Sequence, residues 1–304
     1  MKKSYKGRNL RGQDFSDQNL SFTDFTEADL SVAQAAKVKL MGSNFSKAFL
    51  WKANLKGADL RWAFLKEASL RDAVLRGANL EKANLEEAVF VEAKLEGANL
   101  SEANLVGADF READLTGASL TKSKLTRAVF LNANLESASL EETDLTGALL
   151  VNHTLLNLKK ANLKRADLSG LDLKATDFKE ADLTGAKLRE ADLKAATFYK
   201  ADLTGADLTG ANLSITMLKE ADLTGADLTG ANLSRALLKE AGLEDATLEG
   251  ANLDGSDLTG ANLKGANLKG ASLTGAGLQG ATYDDNTILP ISEGEAQKRG
   301  MVKK

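Results

Sequence analysis

The sequence predicts an all-β solenoid, a four-sided parallel β-helix that completes one coil every twenty residues. Two observations carry this expectation. A large apolar residue occupies every fifth position from Leu10 to Leu155, with Ala35 the one lapse, and the same spacing returns from Leu163 through Leu278 to Tyr283 and Ile288. Phenylalanines recur at four times that spacing, as Phe25 and Phe45, as Phe90, Phe110 and Phe130, and as Phe178 and Phe198.

A period of five suits neither an α-helix nor an alternating strand. It suits a chain that turns a corner every five residues. The apolar centre and the small residue two positions before it, mostly alanine (Ala53, Ala58, Ala78, Ala103), face inward. The Asp or Asn between them faces water, and the two residues after the centre make the corner, where glycine is frequent because it tolerates unusual dihedrals. Residues stacked on successive coils should resemble each other, and the resemblance returns after four corners. Residues 201–220 repeat as 221–240 except at 215, 216 and 217.

Small residue, Asn or Asp, Leu or Phe, Ser or Thr, then Gly or a variable residue: this order, sustained from about residue 8 to 290, resembles the pentapeptide-repeat family. The opening RNLRGQDFSDQNLSFTDF and the closing ATYDDNT resemble its cyanobacterial members. The resemblance implies a right-handed quadrilateral parallel β-helix with about four pentapeptides per coil, in agreement with the spacing.

The period slips once, between Leu155 and Leu163. The expected organisation is therefore an N-terminal cap over 1–9, a first repeat segment over 10–155, a register break or loop over 156–162, a second segment over 163–288 and a C-terminal tail over 289–304. The break is either a small bulge or a looped-out segment. Asp284, Asp285 and Asn286 read as a turn, since they lack the spacing of a calcium loop. Pro290 is expected to end strand pairing.

The inventory of reactive groups argues against an enzyme. There is no cysteine and one histidine, His153 at the slip, so nucleophile–base pairs and thiolate metal sites have no members. Carboxylates recur at a fixed outward position; Asp202 stacks on Asp222 and Asp207 on Asp227, in uniform surroundings that do not separate an acid from a base. Neither cofactor nor metal is expected. Basic residues gather at the ends, Met1–Arg8 and Ile291–Lys304, and leave a mildly acidic body, which argues against nucleic acid as partner. No apolar run has the length of a membrane span or signal core, so the expectation is a soluble, cytoplasmic protein without membrane association.

What stands out is apolar residues where water-facing ones belong. The flanks of every fourth centre give Phe49 and Trp51, Val89 and Val91, Val129 and Leu131, Leu149 and Val151, all on one face. Trp62 and Phe64 lie near a neighbouring corner, and Tyr199, Met217 and Leu237 repeat the pattern in the second segment. A stripe repeated over several coils has the character of an interaction surface. The expected function is a non-catalytic scaffold that binds an unidentified protein, or itself, through this stripe. The family resemblance implies an alternative, since some members mimic DNA and inhibit or protect DNA gyrase; the many bases among the acids of this body speak against it.

Overall fold

Among the described residues the five-residue units share one pattern of backbone bonds, and the unit around Leu50 shows it. The Leu50 N–H donates to the Ser69 carbonyl on the next coil at 2.7 Å, while the Asn54 N–H reaches back to Ala33 on the preceding coil at 2.9 Å. The Lys52 N–H donates to Arg71 at 3.0 Å, and the Ala53 N–H closes the corner on Leu50, also at 3.0 Å. The repeat of these bonds aligns residues twenty apart in parallel bridges, such as Asp29 with Phe49 and Phe49 with Ser69. The result is a parallel β-helix.

The corner sets a conformational demand. Its second residue has positive φ, 54° at Lys52 and 65° at Gly57, as the third position of a type II turn requires. Glycine meets this at no steric cost, whereas Val32 and Ile215, β-branched at φ 54°, carry the greatest strain.

The computed structural model describes residues 3–145, 147–150 and 157–304. The chain divides into two compact units, Met1–Leu156 and Asn157–Lys304. In the first, leucines, phenylalanines and alanines form inward columns that are almost wholly buried. Phe90, Phe110 and Phe130 stack with centroids 4.9 and 5.0 Å apart, and Phe25 lies 4.7 Å from Phe45. Where Thr143 replaces an alanine, its hydroxyl donates to the Leu140 carbonyl at 2.6 Å, so no buried polar group is left open there. The lapse at Ala35 leaves a cavity of about 10 Å³, lined by Phe15, Ala35, Val38 and Leu55 among others. Val38, fully buried where alanine is usual, fills most of the missing volume.

Residues 3–9, expected as part of a cap, carry the same bridges as the repeat. Ser4 bridges Asp24, Asn9 bridges Asp29, and Tyr5 stacks on Phe25 at 5.2 Å, so they belong to the first coil. Tyr5 is large and apolar enough to continue the Phe25–Phe45 column.

The second unit begins its ladder earlier than the spacing suggested. Asn157 bridges Asp177, Asn162 bridges Asp182, and Leu158 is buried as a core centre, so residues 157–162 are repeat and not break. Any break falls outside the described residues. Phe178 and Phe198 stack at 4.7 Å.

At the far end the register gains one residue. Asn262 bridges Thr282, but Asn267 bridges Ile288, because a turn at Asp284–Thr287 absorbs the extra residue. Thr287 Oγ1 donates to Asp284 Oδ1 at 2.8 Å, and that oxygen also accepts from the Gly265 N–H at 2.9 Å. Ile288, expected in the core, is therefore outward and exposed.

Pairing does not stop at Pro290 either. The tail forms a short helix α1 (Glu293–Lys298), capped by Ser292, and a strand β2 (Val302–Lys303) that pairs in parallel with β1 (Thr282–Tyr283). Ala296 and Met301 are buried against the final coil. Arg299 Nη2 donates to the carbonyls of Leu273 and Ala276 at 2.9 and 2.7 Å. Sheet-edge groups that an open solenoid would expose are thereby bonded.

Candidate protein-binding surface

Seven of the eight stripe residues lie among the described residues and fall in two adjacent columns of the first unit. Phe49, Val89, Val129 and Leu149 occupy one outward column, interrupted by Ser69 and Asp109. Phe49 and Leu149 are 55% and 56% exposed, while Val89 and Val129 are partly buried between column neighbours. These four are the outward apolar surface.

Trp51, Val91 and Leu131 lie in the adjacent corner column, which also holds Arg11, Ser31, Arg71 and Arg111. Trp51 is partly buried and already engaged. Its Nε1–H donates to Asp72 Oδ2 at 3.1 Å, and Arg11 and Lys52 lie 5.7 and 4.6 Å from its ring. Val91, expected to face water, is only 7% exposed. Its column neighbours on the adjacent coils are Arg71 and Arg111. Leu131 is partly buried, and Val151 lies outside the described residues.

The electrostatics of this face are internally balanced. Arg111 pairs with Asp109 at 2.6 Å and Arg71 with Glu92 at 2.7 Å. The hydrogen bond to Asp109 and its charge raise the Arg111 guanidinium further above its ordinary value. Apolar side chains, and not free charges, are what this column offers a partner.

Apolar side chains are exposed elsewhere on the coils too. Trp62, Phe64, Met217 and Leu237 are exposed as expected, and Phe22 and Ile215, outside the stripe, are exposed as well. Both stand at the second corner position. Phe22 lies over Gly42, where a Cβ would come within 2.7 Å of its ring. Tyr199 is partly buried, with three lysine ammonium groups around its ring.

The acidic columns form as expected, with Asp202 on Asp222 and Asp207 on Asp227. Many of their members serve the corner. Asp24 and Asp257 accept bonds from the hydroxyl and N–H of Thr26 and Thr259, and these bonds hold both carboxyls below the usual carboxylate range. Among the described residues no group of His, Asp and Glu has the arrangement to hold a metal ion. Nor, among them, is any helix long and apolar enough to cross a membrane.

Comparison with known proteins agrees with the repeat. The family described as pentapeptide repeats (8 copies) matches over residues 9–152, 156–214 and 218–282. Among solved structures the chain is similar to HetL, a pentapeptide repeat protein involved in heterocyst differentiation regulation from the cyanobacterium Nostoc sp. strain PCC 7120. Identity is 32% over 95% of this chain and 94% of that one, with a TM-score of 0.20. It is also similar to alr5209, a pentapeptide repeat protein from Nostoc PCC 7120, at 42% identity over 34% of this chain and 84% of that one, with a TM-score of 0.33. Rfr23 from the cyanobacterium Cyanothece 51142 is 35% identical over 43% and 86%, with a TM-score of 0.17. No curated protein matches the chain.

Proposed function

The chain belongs to the pentapeptide-repeat family, and from that premise we propose that it is a non-catalytic scaffold that binds a protein through the Phe49–Val89–Val129–Leu149 column of its first unit. The observation that carries this is the exposure of Phe49 and Leu149 at a position where the repeat mostly places Asp, Asn or another polar residue. An outward phenylalanine contributes little to folding, whereas on binding its burial contributes on the order of 2 kcal/mol. We read the cross-section as quadrilateral, with the column running down one flat side, and we read the environment as cytoplasmic.

The variant that tests this is Phe49→Asp with Leu149→Asp. Trp51 and Val91 are unsuited, since one is hydrogen-bonded and the other buried. Tagged wild type and variant are compared by affinity capture from native cells with mass spectrometry, and by sedimentation for self-association. Loss of a partner, or of an oligomer, in a variant that still unfolds at the wild-type urea concentration supports the surface. Unchanged association removes it from consideration.

A further inference from the structure

Residues 201–220 and 221–240 are identical except that Ile215, Thr216 and Met217 stand where the later copy has Arg235, Ala236 and Leu237. The fold of the second unit brings these differences to one face. Met217 and Leu237 are neighbours in an outward column that runs Asn157, Asp177, Thr197, Met217, Leu237, Asp257, and Ile215 and Arg235 mark the corner beside it. Ile215, Met217 and Leu237 are 43%, 44% and 47% exposed.

Folding does not account for this row. Exposed apolar groups gain little from burial, and Ile215 adds backbone strain, being β-branched at φ 54° where Gly255 and Gly275 serve two and three coils on. Strain kept at an exposed apolar residue is characteristic of a binding surface.

Both edges of the row are cationic. One corner presents Lys179, Tyr199, Lys219 and Lys239 in successive coils. The ammonium groups of Lys179, Lys200 and Lys219 lie 5.4, 5.3 and 5.9 Å from the Tyr199 centroid. Glu180, Glu220 and Glu240 pair with Lys179, Lys219 and Lys239 at 3.6, 3.1 and 3.8 Å, and Glu220 also with Lys200 at 3.5 Å, so four lysines stand against three glutamates. The opposite corner adds Lys194 and Arg235.

From this charge pattern we infer that the face centred on Met217 and Leu237 is a second docking surface, whose occupant is an extended acidic segment of a partner protein with interspersed apolar side chains. The apolar row receives the apolar side chains, and the two basic edges receive carboxylates. A lipid bilayer fits less well, because side chains only half exposed between two rows of long cations do not project beyond the ammonium groups.

The test is fluorescence anisotropy of the full chain with a fluorescein-labelled peptide of repeated Glu-Glu-Leu, with Lys-Lys-Leu and Gly-Gly-Ser repeats as controls. Saturable binding of the acidic peptide alone is expected, weakened by salt. It falls by about tenfold or more in Lys219→Glu with Lys239→Glu, since reversing rim charges removes attraction and adds repulsion. Met217→Ser with Leu237→Ser weakens it as well. Phe49→Asp with Leu149→Asp leaves it unchanged, so this surface and that of the first unit stand or fall separately. If charge reversal lowers the urea midpoint, Lys219→Gln with Lys239→Gln replaces it. Failure of the wild type to bind the acidic peptide, equal binding by the lysine variants, or binding of phosphatidylserine vesicles in its place overturns the inference.

Discussion

Replacing Ala35 by leucine restores the repeat consensus, yet the packing around it makes this a destabilising change. Three added carbons, fully buried, would contribute about 2.4 kcal/mol at about 0.8 kcal/mol per carbon. The space does not exist. The cavity beside Ala35 is about 10 Å³, and at about 24 cal/mol per Å³ its filling is worth only about 0.2 kcal/mol. The leucine must displace Val38, which is fully buried and lines the same cavity, so the single variant is overpacked by about 1–3 kcal/mol. Val38→Ala alone removes two buried carbons and enlarges the cavity, costing about 1.5–3 kcal/mol. The double variant exchanges one shape for another of nearly equal volume and is expected within about 1.5 kcal/mol of wild type. The two changes are therefore coupled by about 1 kcal/mol at the least, beyond the additivity of independent sites. Equilibrium urea unfolding followed by tryptophan fluorescence measures this directly, because both tryptophans, Trp51 and Trp62, lie in the first unit. Additive single effects, or stabilisation by Ala35→Leu alone, would refute the packing explanation.

Other consequences can be tested alongside it. Tyr283 is fully buried and its hydroxyl has no protein partner; Tyr283→Phe removes an unsatisfied group and is expected to leave stability unchanged or raise it by up to about 1–3 kcal/mol, read from the urea midpoint. Arg299→Ala unbonds the Leu273 and Ala276 carbonyls; faster amide exchange confined to the last coil and α1 is expected, with a cost of about 1.5–3 kcal/mol per charged hydrogen bond lost. The carboxyls of Asp24, Asp29 and Asp257 are held low by bonds from Thr26, Ser31 and Thr259. Depressed carboxylate values mean that the folded state binds fewer protons than the unfolded chain, so their contribution is present above the ordinary carboxylate range and lost as pH falls through it. Urea midpoints at about pH 7 and about pH 3 check this; an unchanged midpoint would contradict it.

The alternation of sizes along the chain reveals the coil, because burial in a solenoid depends on a residue's place within five. Leu50, Phe110 and Ala103 could be assigned inward by counting alone, and each is buried. Val91 could not. It stands one residue after a centre, where counting within five predicts exposure, yet it is buried. Ile288 was misplaced because the turn at Asp284–Thr287 holds one more residue than a corner needs, and only side-chain bonding reveals which residue is extra. The tail carries no repeat, so its return to Tyr283 rests on contacts among Ala296, Met301 and Arg299 that leave no periodic trace. Of the candidate surface, Phe49 and Leu149 were legible as exceptions to a polar position; Ile215 was not, since corner positions accept many residue types.

The twenty-residue spacing of the bridges also governs how such a chain can evolve. A duplicated block of twenty residues slips between two coils with its hydrogen bonds, corners and aromatic stacks intact, because the coils above and below meet partners of the same kind. Residues 201–220 and 221–240 have the form of such an event. A block whose length is not a multiple of twenty would carry every later side chain out of its column. Length is thus a quantity that selection can extend in whole steps, and each step lengthens an outward row without relocating it, so a surface such as Met217–Leu237 can grow by one residue at a time while the interior is left untouched.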